Sequence, residues 1–204
     1  MLGQAAGYWC HWHCERAYSG VALLVREGVC AEAPSAVVAP FDFETRILTA
    51  EVRGVTVASV YVPNGGKDFP AKMRFLEALE QFARECQQTG KSLILCGDLN
   101  VARTDRDVHP KERKPRAIGQ LPEERAMLER VIECGLIDVG RAQNPDNDEL
   151  FTWWAPWRNM RERNIGWRID YILASAALAA HATRCPVQKD VGTSDHAPVI
   201  ASFA

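Results

Sequence analysis

Apolar and polar positions recur along the chain at two periods, and the places where they change predict its elements. Tyr18 to Arg26 reads as a strand, as does Arg46 to Val52. Gly54 marks a turn, after which Val55 to Val62 alternates into another strand, so that 46–62 predicts a hairpin. Pro63-Asn64-Gly65-Gly66 closes that strand with a turn. From Phe69 to Gln88 the residues Phe75, Leu76, Leu79 and Phe82 fall at helical spacing, and the pattern stops before Gly90. Leu93-Ile94-Leu95-Cys96 is a short apolar run closed by Gly97, which reads as a buried strand ending at a sheet's rim. Leu121-Pro122-Glu123-Glu124 opens a second helix, its proline and acids placed where the helix dipole favours them. That helix runs through Met127, Leu128, Val131 and Ile132 to Gly135. Ile169 to Leu173 and Val199 to Phe203 are the last strands. Strands and helices alternating with an antiparallel hairpin predict an α/β sandwich.

Composition narrows this picture. A chain of 204 residues, 47% of them hydrophobic, can bury one sizeable core, so residues 1–204 are expected to form a single domain. No apolar run approaches the roughly 18 residues that span a bilayer, and no signal-peptide pattern is present, so no membrane partner is expected. The net charge of -2 excludes DNA binding by bulk charge; any positive field must be local. Seven cysteines without framework spacing suit reduced thiols and a cytoplasmic location. Cys10-His11-Trp12-His13-Cys14 holds ligand types for zinc, but residues packed so closely cannot easily close a tetrahedron, and no second knuckle follows. The compositional cue to zinc is weak by itself.

The chemistry concentrates at three places. After Gly97, period-2 alternation puts Asp98 and Asn100 on one side and turns Leu99 into the core. A carboxylate beside a carboxamide can hold and deprotonate a water, or orient a phosphate and a hard cation. Taken alone, Asp98 could equally cap the following turn. Near the chain's end, Ser194-Asp195-His196 precedes an apolar run, and Asp170 lies just inside another. A carboxylate partner fixes the tautomer of a histidine and raises its pKa, so that His196 could donate to or polarise a phosphate oxygen. The segment from Arg103 to Arg116 carries seven Lys, Arg or His residues. As a charge run it reads as a solvated loop, but its place directly after Asp98 and Asn100 suits contact with DNA phosphates. A second basic group, Arg158, Arg161, Arg163 and Arg168, is interleaved with Trp153, Trp154, Trp157 and Trp167. Tyr61, at a strand end, reads as half-buried packing.

The motifs CGDLN (96–100), GWRIDYIL (166–173) and SDHAPV (194–199), with YSGVALLVRE (18–27), YVPNGG (61–66) and FTWWAPWRNMRERNIGWRIDY (151–171), are in this order similar to the exonuclease III family of apurinic/apyrimidinic endonucleases. That family belongs to the endonuclease/exonuclease/phosphatase superfamily. The resemblance covers nearly the whole chain and implies a four-layered α/β sandwich of the deoxyribonuclease I-like type. It implies Mg2+-dependent hydrolysis of the phosphodiester 5′ to abasic sites in double-stranded DNA, with 3′-5′ exonuclease and 3′-phosphodiesterase activity on blocked ends. Asp98 would orient or deprotonate the attacking water, with Asn100 holding it. His196, paired with Asp170, would contact a non-bridging oxygen, and Tyr61 and Asn64 would donate to the scissile phosphate. Trp153, Trp167 and Ile169 occupy the positions of the family's pocket for a flipped-out abasic sugar, and Arg103 begins the basic loop assigned to DNA. Mg2+, or Mn2+ in its place, would be held by Asp98, Asn100, Asp195 and His196.

One departure qualifies these expectations. Family members begin with a strand patterned SWNxxGLRA and a second ending QETK, whose Glu is the principal Mg2+ ligand; neither motif is present here. The fold is therefore expected to be truncated at its N-terminus, with weak Mg2+ binding, and monomeric once that segment is restored. Two rival functions follow: another phosphodiesterase or nuclease of the superfamily, or a DNA-binding fragment with impaired catalysis.

Overall fold

The computed structural model describes residues 6–15, 19–192 and 194–204. Tyr18, where the first strand was expected to begin, lies outside them. In chain order the elements are β1 (Tyr8–Cys14), β2 (Gly20–Arg26), β3 (Ala36–Val38), β4 (Ile47–Val52), β5 (Val55–Tyr61), α1 (Phe69–Gln88), β6 (Ser92–Asp98), α2 (Pro122–Glu133), β7 (Leu136–Asp138), α3 (Val139–Gln143), β8 (Asp170–Ser175), α4 (Ala176–Ala179), β9 (Ala182–Arg184) and β10 (Ser202–Phe203). Two short 3₁₀ turns lie between β6 and α2, at Asp105–Asp107 and Pro110–Glu112.

Six strands form the central sheet in the order β3-β4-β5-β6-β8-β7, with β5 and β6 parallel and the other neighbours antiparallel. The expected hairpin is β4–β5, turned at Arg53 and Gly54, both with positive φ. Helix α1 starts where Asp68 accepts the Ala71 N–H at 2.9 Å, a side-chain cap for an otherwise orphaned donor.

Alternation divides the sheet. Ile47, Ala58, Val60, Leu93, Leu95 and Leu173 face α1 and α2, where Phe75, Leu76, Leu79, Leu128 and Val131 complete the main core. On the opposite face β1–β2 packs Leu23 on Leu48, Ala50 and Val57. At the other end of that face, Ile94, Ile172 and Ala174 meet Val199, Ala201, Phe203 and the short α4. The layering is thus helices, sheet and ribbons. Among the described residues the second sheet consists of two separate two-stranded ribbons, β1–β2 and β9–β10, rather than one continuous layer. No described helix is long and apolar enough to cross a membrane.

One local reading changes and another stands. The expected strand from Val199 to Phe203 shrinks to a single bridge, Val187 to Val199, followed by β10. Pro186 and Pro198 lie in the two paired segments and lack the N–H that a regular ladder needs, and the register shifts at Ser202/Phe203. The Cys10 to Cys14 cluster is part of β1, the ordinary strand that the family resemblance implies: cysteines and histidines fall on opposite faces, and His13 Nε2 bonds Asp42 Oδ2 at 2.8 Å. Among the described residues no group of three or more His, Cys, Asp or Glu side chains could hold a metal ion.

The glycine of CGDLN has a definite cause. Gly97 adopts φ +139°, and a Cβ there would lie 1.9 Å from the carbonyl oxygen of Val60 on β5. This contact sits one residue before Asp98. Gly97→Ala is expected to lower stability by about 2–4 kcal/mol through strain and overpacking. Urea unfolding checks this; a loss below about 1 kcal/mol would show that β5 yields instead.

Candidate active site

Three neighbouring strands deliver the first polar groups to one rim. The sheet register pairs Tyr61 on β5 with Asp98 on β6, and Asp98 with Asp170 on β8. Beyond the strand, Leu99 is fully buried and Asn100 turns back beside Asp98; the two polar residues meet as expected, but through a turn and not through strand alternation. Asn100 holds φ +51°, a left-handed conformation that asparagine tolerates better than most residues. Its backbone N–H donates to Asp98 Oδ1 at 2.8 Å, and its Nδ2 donates to Asp98 Oδ2 at 3.0 Å and to the Val62 carbonyl at 2.9 Å. Its Oδ1 accepts from Asn64 Nδ2 at 3.2 Å. Asn100 is therefore a bracket for Asp98 and Asn64, with both amide hydrogens committed.

A second set of groups arrives from the chain's end. Residues 152–154 lie between 167–169 and 195–197, joined by bridges of Trp153 to Trp167 and to His196. Trp154 N donates to the Asp195 carbonyl at 3.0 Å and Ala197 N to the Thr152 carbonyl at 2.8 Å. This places His196 Nδ1 at 2.9 and 3.1 Å from the two oxygens of Asp170, leaving Nε2 for the cavity. Asp195, exposed at the adjoining groove, takes a different partner: its Oδ2 accepts from Trp153 Nε1 at 2.9 Å.

The cavity between these groups has a volume of about 260 Å3. Tyr61, Asn64, Asp98, Asn100 and His196 supply its polar side; Trp153, Trp167, Ile169, Ile118 and Gly119 supply the rest. Trp153 and Trp167 meet edge to face, with centroids 6.0 Å apart. The Arg46 guanidinium lies 4.8 Å from the Tyr61 ring centre and fixes that wall from behind. Nine of the predicted site residues are thus gathered here or, for Asp170, directly behind His196. Ile118 and Gly119 went unread, though an apolar residue and a glycine just before a helix start were the available signal.

The basic residues fare differently. Arg103, assigned to DNA, does not line the cavity: it makes two bonds to Glu129, at 2.6 and 2.9 Å, and lies 3.7 Å from Asp138. Arg106 pairs with Asp148, and Arg113 donates to the carbonyls of Asp105 and Val108. Arg161 donates to the carbonyls of Lys189, Val191 and Ser194 and stacks on Trp154, clamping the segment ahead of Asp195. Arg168 is 2% exposed beneath the site. Its Nε donates to Asp107 at 2.6 Å, and its two terminal nitrogens to Asp138 at 2.9 and 2.7 Å. Lys111, Lys114 and Arg116 form no ion pair among the described residues, and Arg116 is two residues from the cavity wall at Ile118.

Burial and the neighbouring Asp170 push the Asp98 carboxyl up to about 7, against the pull of His196, the Asn100 N–H and Lys72. For His196, burial works against the cation, but the hydrogen bond and charge of Asp170, with Asp98 and Asp195, outweigh it and raise its pKa. Two acids in register, one kept near neutrality, can accept a proton from water and stabilise an imidazolium. The same pair tests the metal expectation. A hard cation would relieve the repulsion between Asp98 and Asp170, and Mg2+ is commonly held through one or two carboxylates and its own waters. The oxygens of Asp98 and Asn100 fit that mode, whereas Asp195 is engaged by Trp153 and lines the adjoining groove.

The chain belongs to the Endonuclease/Exonuclease/phosphatase family, whose model matches residues 1–196. Within that family it is of the phosphodiesterase-type nuclease class. It is 36% identical over 196 residues to an exodeoxyribonuclease of Bacillus subtilis, covering 94% of this chain and 77% of that protein. It is 32% identical over 211 residues to the DNA repair nuclease APEX1 of Danio rerio, covering 97% of this chain and 64% of that protein. Among solved structures, a 3′-5′ exonuclease from Neisseria meningitidis superposes with a TM-score of 0.88 at 32% identity, over 97% of this chain and 80% of that one. An AP endonuclease from Archaeoglobus fulgidus gives 0.82 at 28%, over 97% and 79%. The mixed α/β architecture is the deoxyribonuclease I-like one expected.

A pH dependence of stability follows from the two raised groups. A group whose pKa is higher in the fold contributes stability that is complete below its unfolded value and lost as pH rises through the folded one. For Asp98 that window runs from 3.8 to about 7, and His196 extends it upward from 6.5. The thermal midpoint of the metal-free chain is expected to fall between about pH 5 and about pH 8, and Asp98→Asn to flatten the fall. Scanning fluorimetry reads both; an equal slope in the variant would remove Asp98 as the cause.

Proposed function

We propose that this chain hydrolyses a phosphodiester of double-stranded DNA on the 5′ side of an abasic site. The observation that carries the reading is the cavity in which phosphate-handling groups face a small apolar wall. At about 260 Å3 it is below the range usual for small-molecule pockets, which suits a sugar that has lost its base better than a whole nucleotide. A nucleotide without a base has already lost its stacking and pairing, so its extrusion into such a cavity costs less.

Asp98 takes the proton of the attacking water, with Asn100 fixing the direction of the carboxylate. His196, held by Asp170 through Nδ1, presents Nε2 to a non-bridging oxygen. The Tyr61 hydroxyl and the second Nδ2 hydrogen of Asn64 donate to the same phosphate as its charge builds. Mg2+, or Mn2+, held through Asp98 and Asn100, would supply positive charge to the departing 3′ oxygen. Asp195, engaged by Trp153, and His196, with Nδ1 on Asp170 and Nε2 on the phosphate, are left out of that set. Trp153, Trp167 and Ile169 exclude water and normal nucleotides. Lys111, Lys114 and Arg116, rather than Arg103, are the basic side chains available for flanking phosphates. DNA as substrate, together with the cysteine content, fits a cytoplasmic, nucleoid-associated protein.

A second reading uses the same site on 3′ ends. A Neisseria structure with a TM-score of 0.88 is a 3′ phosphatase bound to a product DNA hairpin, which supports removal of 3′ blocking groups. The test is incision of a labelled duplex carrying one tetrahydrofuran abasic analogue, beside a duplex ending in a 3′ phosphate, each with and without Mg2+. Incision 5′ to the analogue is expected, falling by about 10²–10⁴-fold in Asp98→Ala, the range for a lost general base. Release of phosphate without incision would favour the second reading. Binding of either duplex with no turnover would leave a DNA-binding module.

A further inference from the structure

Two charged side chains lie fully buried beneath the cavity without facing it: Lys72 on α1 and Glu124 on α2. Removing two charges from water is costly, and an apolar pair of similar size commonly holds helices together as well or better. Helix packing therefore does not account for them. Their contacts do. The Lys72 ammonium donates to the Glu124 carboxylate, to the carbonyl of Asn64 at 3.1 Å and to the carbonyl of Asn100 at 2.8 Å. All three of its hydrogens are used. The other Glu124 oxygen accepts the N–H of Gly119 at 2.6 Å and of Leu121 at 3.0 Å.

Asn64, Asn100 and Gly119 all line the cavity, and each belongs to a different segment: the turn after β5, the end of β6 and the approach to α2. None of these segments continues into another, and the buried ion pair ties all three together. The turn is shaped around the lysine. Gly65 has φ +88°, and a Cβ there would meet Lys72 Cδ at 2.7 Å. Asn100, in its left-handed conformation, offers its carbonyl to Lys72 while its side chain holds Asp98 and Asn64.

We propose that Lys72 and Glu124 act as a positioning brace that sets the placement of Asn64, Asn100 and the Gly119 turn, and so the aim of Asp98, without touching substrate. The inference rests on the reading of this cavity as the phosphodiester site. A pair that served only to hold α1 on α2 would affect stability alone; a positioning pair also affects turnover.

The decisive variant is Lys72→Met with Glu124→Leu, which replaces the pair by apolar groups and strands neither charge. It is expected to fold and to bind the abasic duplex with KM within about threefold of the unaltered chain. Its kcat is expected to fall by about 100-fold, the scale of a misplacement of about 1 Å. A folded double variant whose kcat stays within about threefold would overturn the proposal.

Amide exchange of the unaltered chain reads the brace without any substitution and without activity. The Gly119 and Leu121 N–H groups, both bonded to Glu124, should be protected together with that of Asn100. Exchange as fast as at the exposed loop residues Asp146 and Asp148 would overturn the brace, and it decides the matter if the double variant does not fold. If the unaltered chain fails to cut DNA while these amides are protected, the functional reading fails and the brace stands.

Discussion

The structure depends on one buried arginine. Arg168 joins two carboxylates from distant parts of the chain, Asp107 from the excursion after β6 and Asp138 from the end of β7. Asp107 is shared with Arg141 and also accepts from Thr104, so the excursion is folded down over the sheet rather than left in solvent. The guanidinium lies 4.5 Å from the ring centre of Tyr171, whose hydroxyl donates to the Val101 carbonyl. Burial alone would oppose the charge, but Tyr171, Asp138 and Asp107 hold the guanidinium firmly protonated. Such a cluster stabilises little in net terms, because desolvation offsets most of its attraction, but it is unforgiving of partial loss. What it secures is placement: the next two residues are Ile169, in the cavity wall, and Asp170, behind His196.

Much of the site could be read from sequence because local rules decide it. Period-2 alternation anticipates Leu99 in the core between two polar residues, but a left-handed turn at Asn100, and not the strand's pleat, brings its amide back to Asp98. The bounds of α1 follow from the spacing of its apolar residues and from Gly90. Charges are another matter. Arg103, Arg161 and Arg168 look alike in a basic, tryptophan-rich sequence, yet one pairs with α2, one clamps a loop by its carbonyls and one is buried. Only contacts between distant segments separate these fates. Glu124 shows the same difficulty within a single helix: it reads as an acid favoured by the helix dipole, and it is in fact fully buried against Lys72. The last strand fails for a simpler reason, since two prolines remove donors that the apolar pattern does not reveal.

The rim also shows why proximity and protonation have to be considered together. Register places Asp98 opposite Asp170, which would be a liability were both ionised in the same low-polarity setting. His196 takes up one acid through Nδ1, and Asn100 supplies two donors to the other. The acids thereby acquire distinct partners: Asp170 is the hydrogen-bond acceptor that orients an imidazole, and Asp98 is a group that can gain or lose a proton near neutrality.

Trp153 carries a consequence for anyone wishing to redesign this cavity. Its indole ring is a wall that limits what enters, while its Nε1 is the anchor of the Asp195 carboxylate. Widening the opening by trimming this ring would also release the acid beside His196. Substrate range and chemical competence are therefore wired through a single side chain, and a broader-specificity descendant of this chain would have to supply Asp195 with a new donor before it could give up the tryptophan.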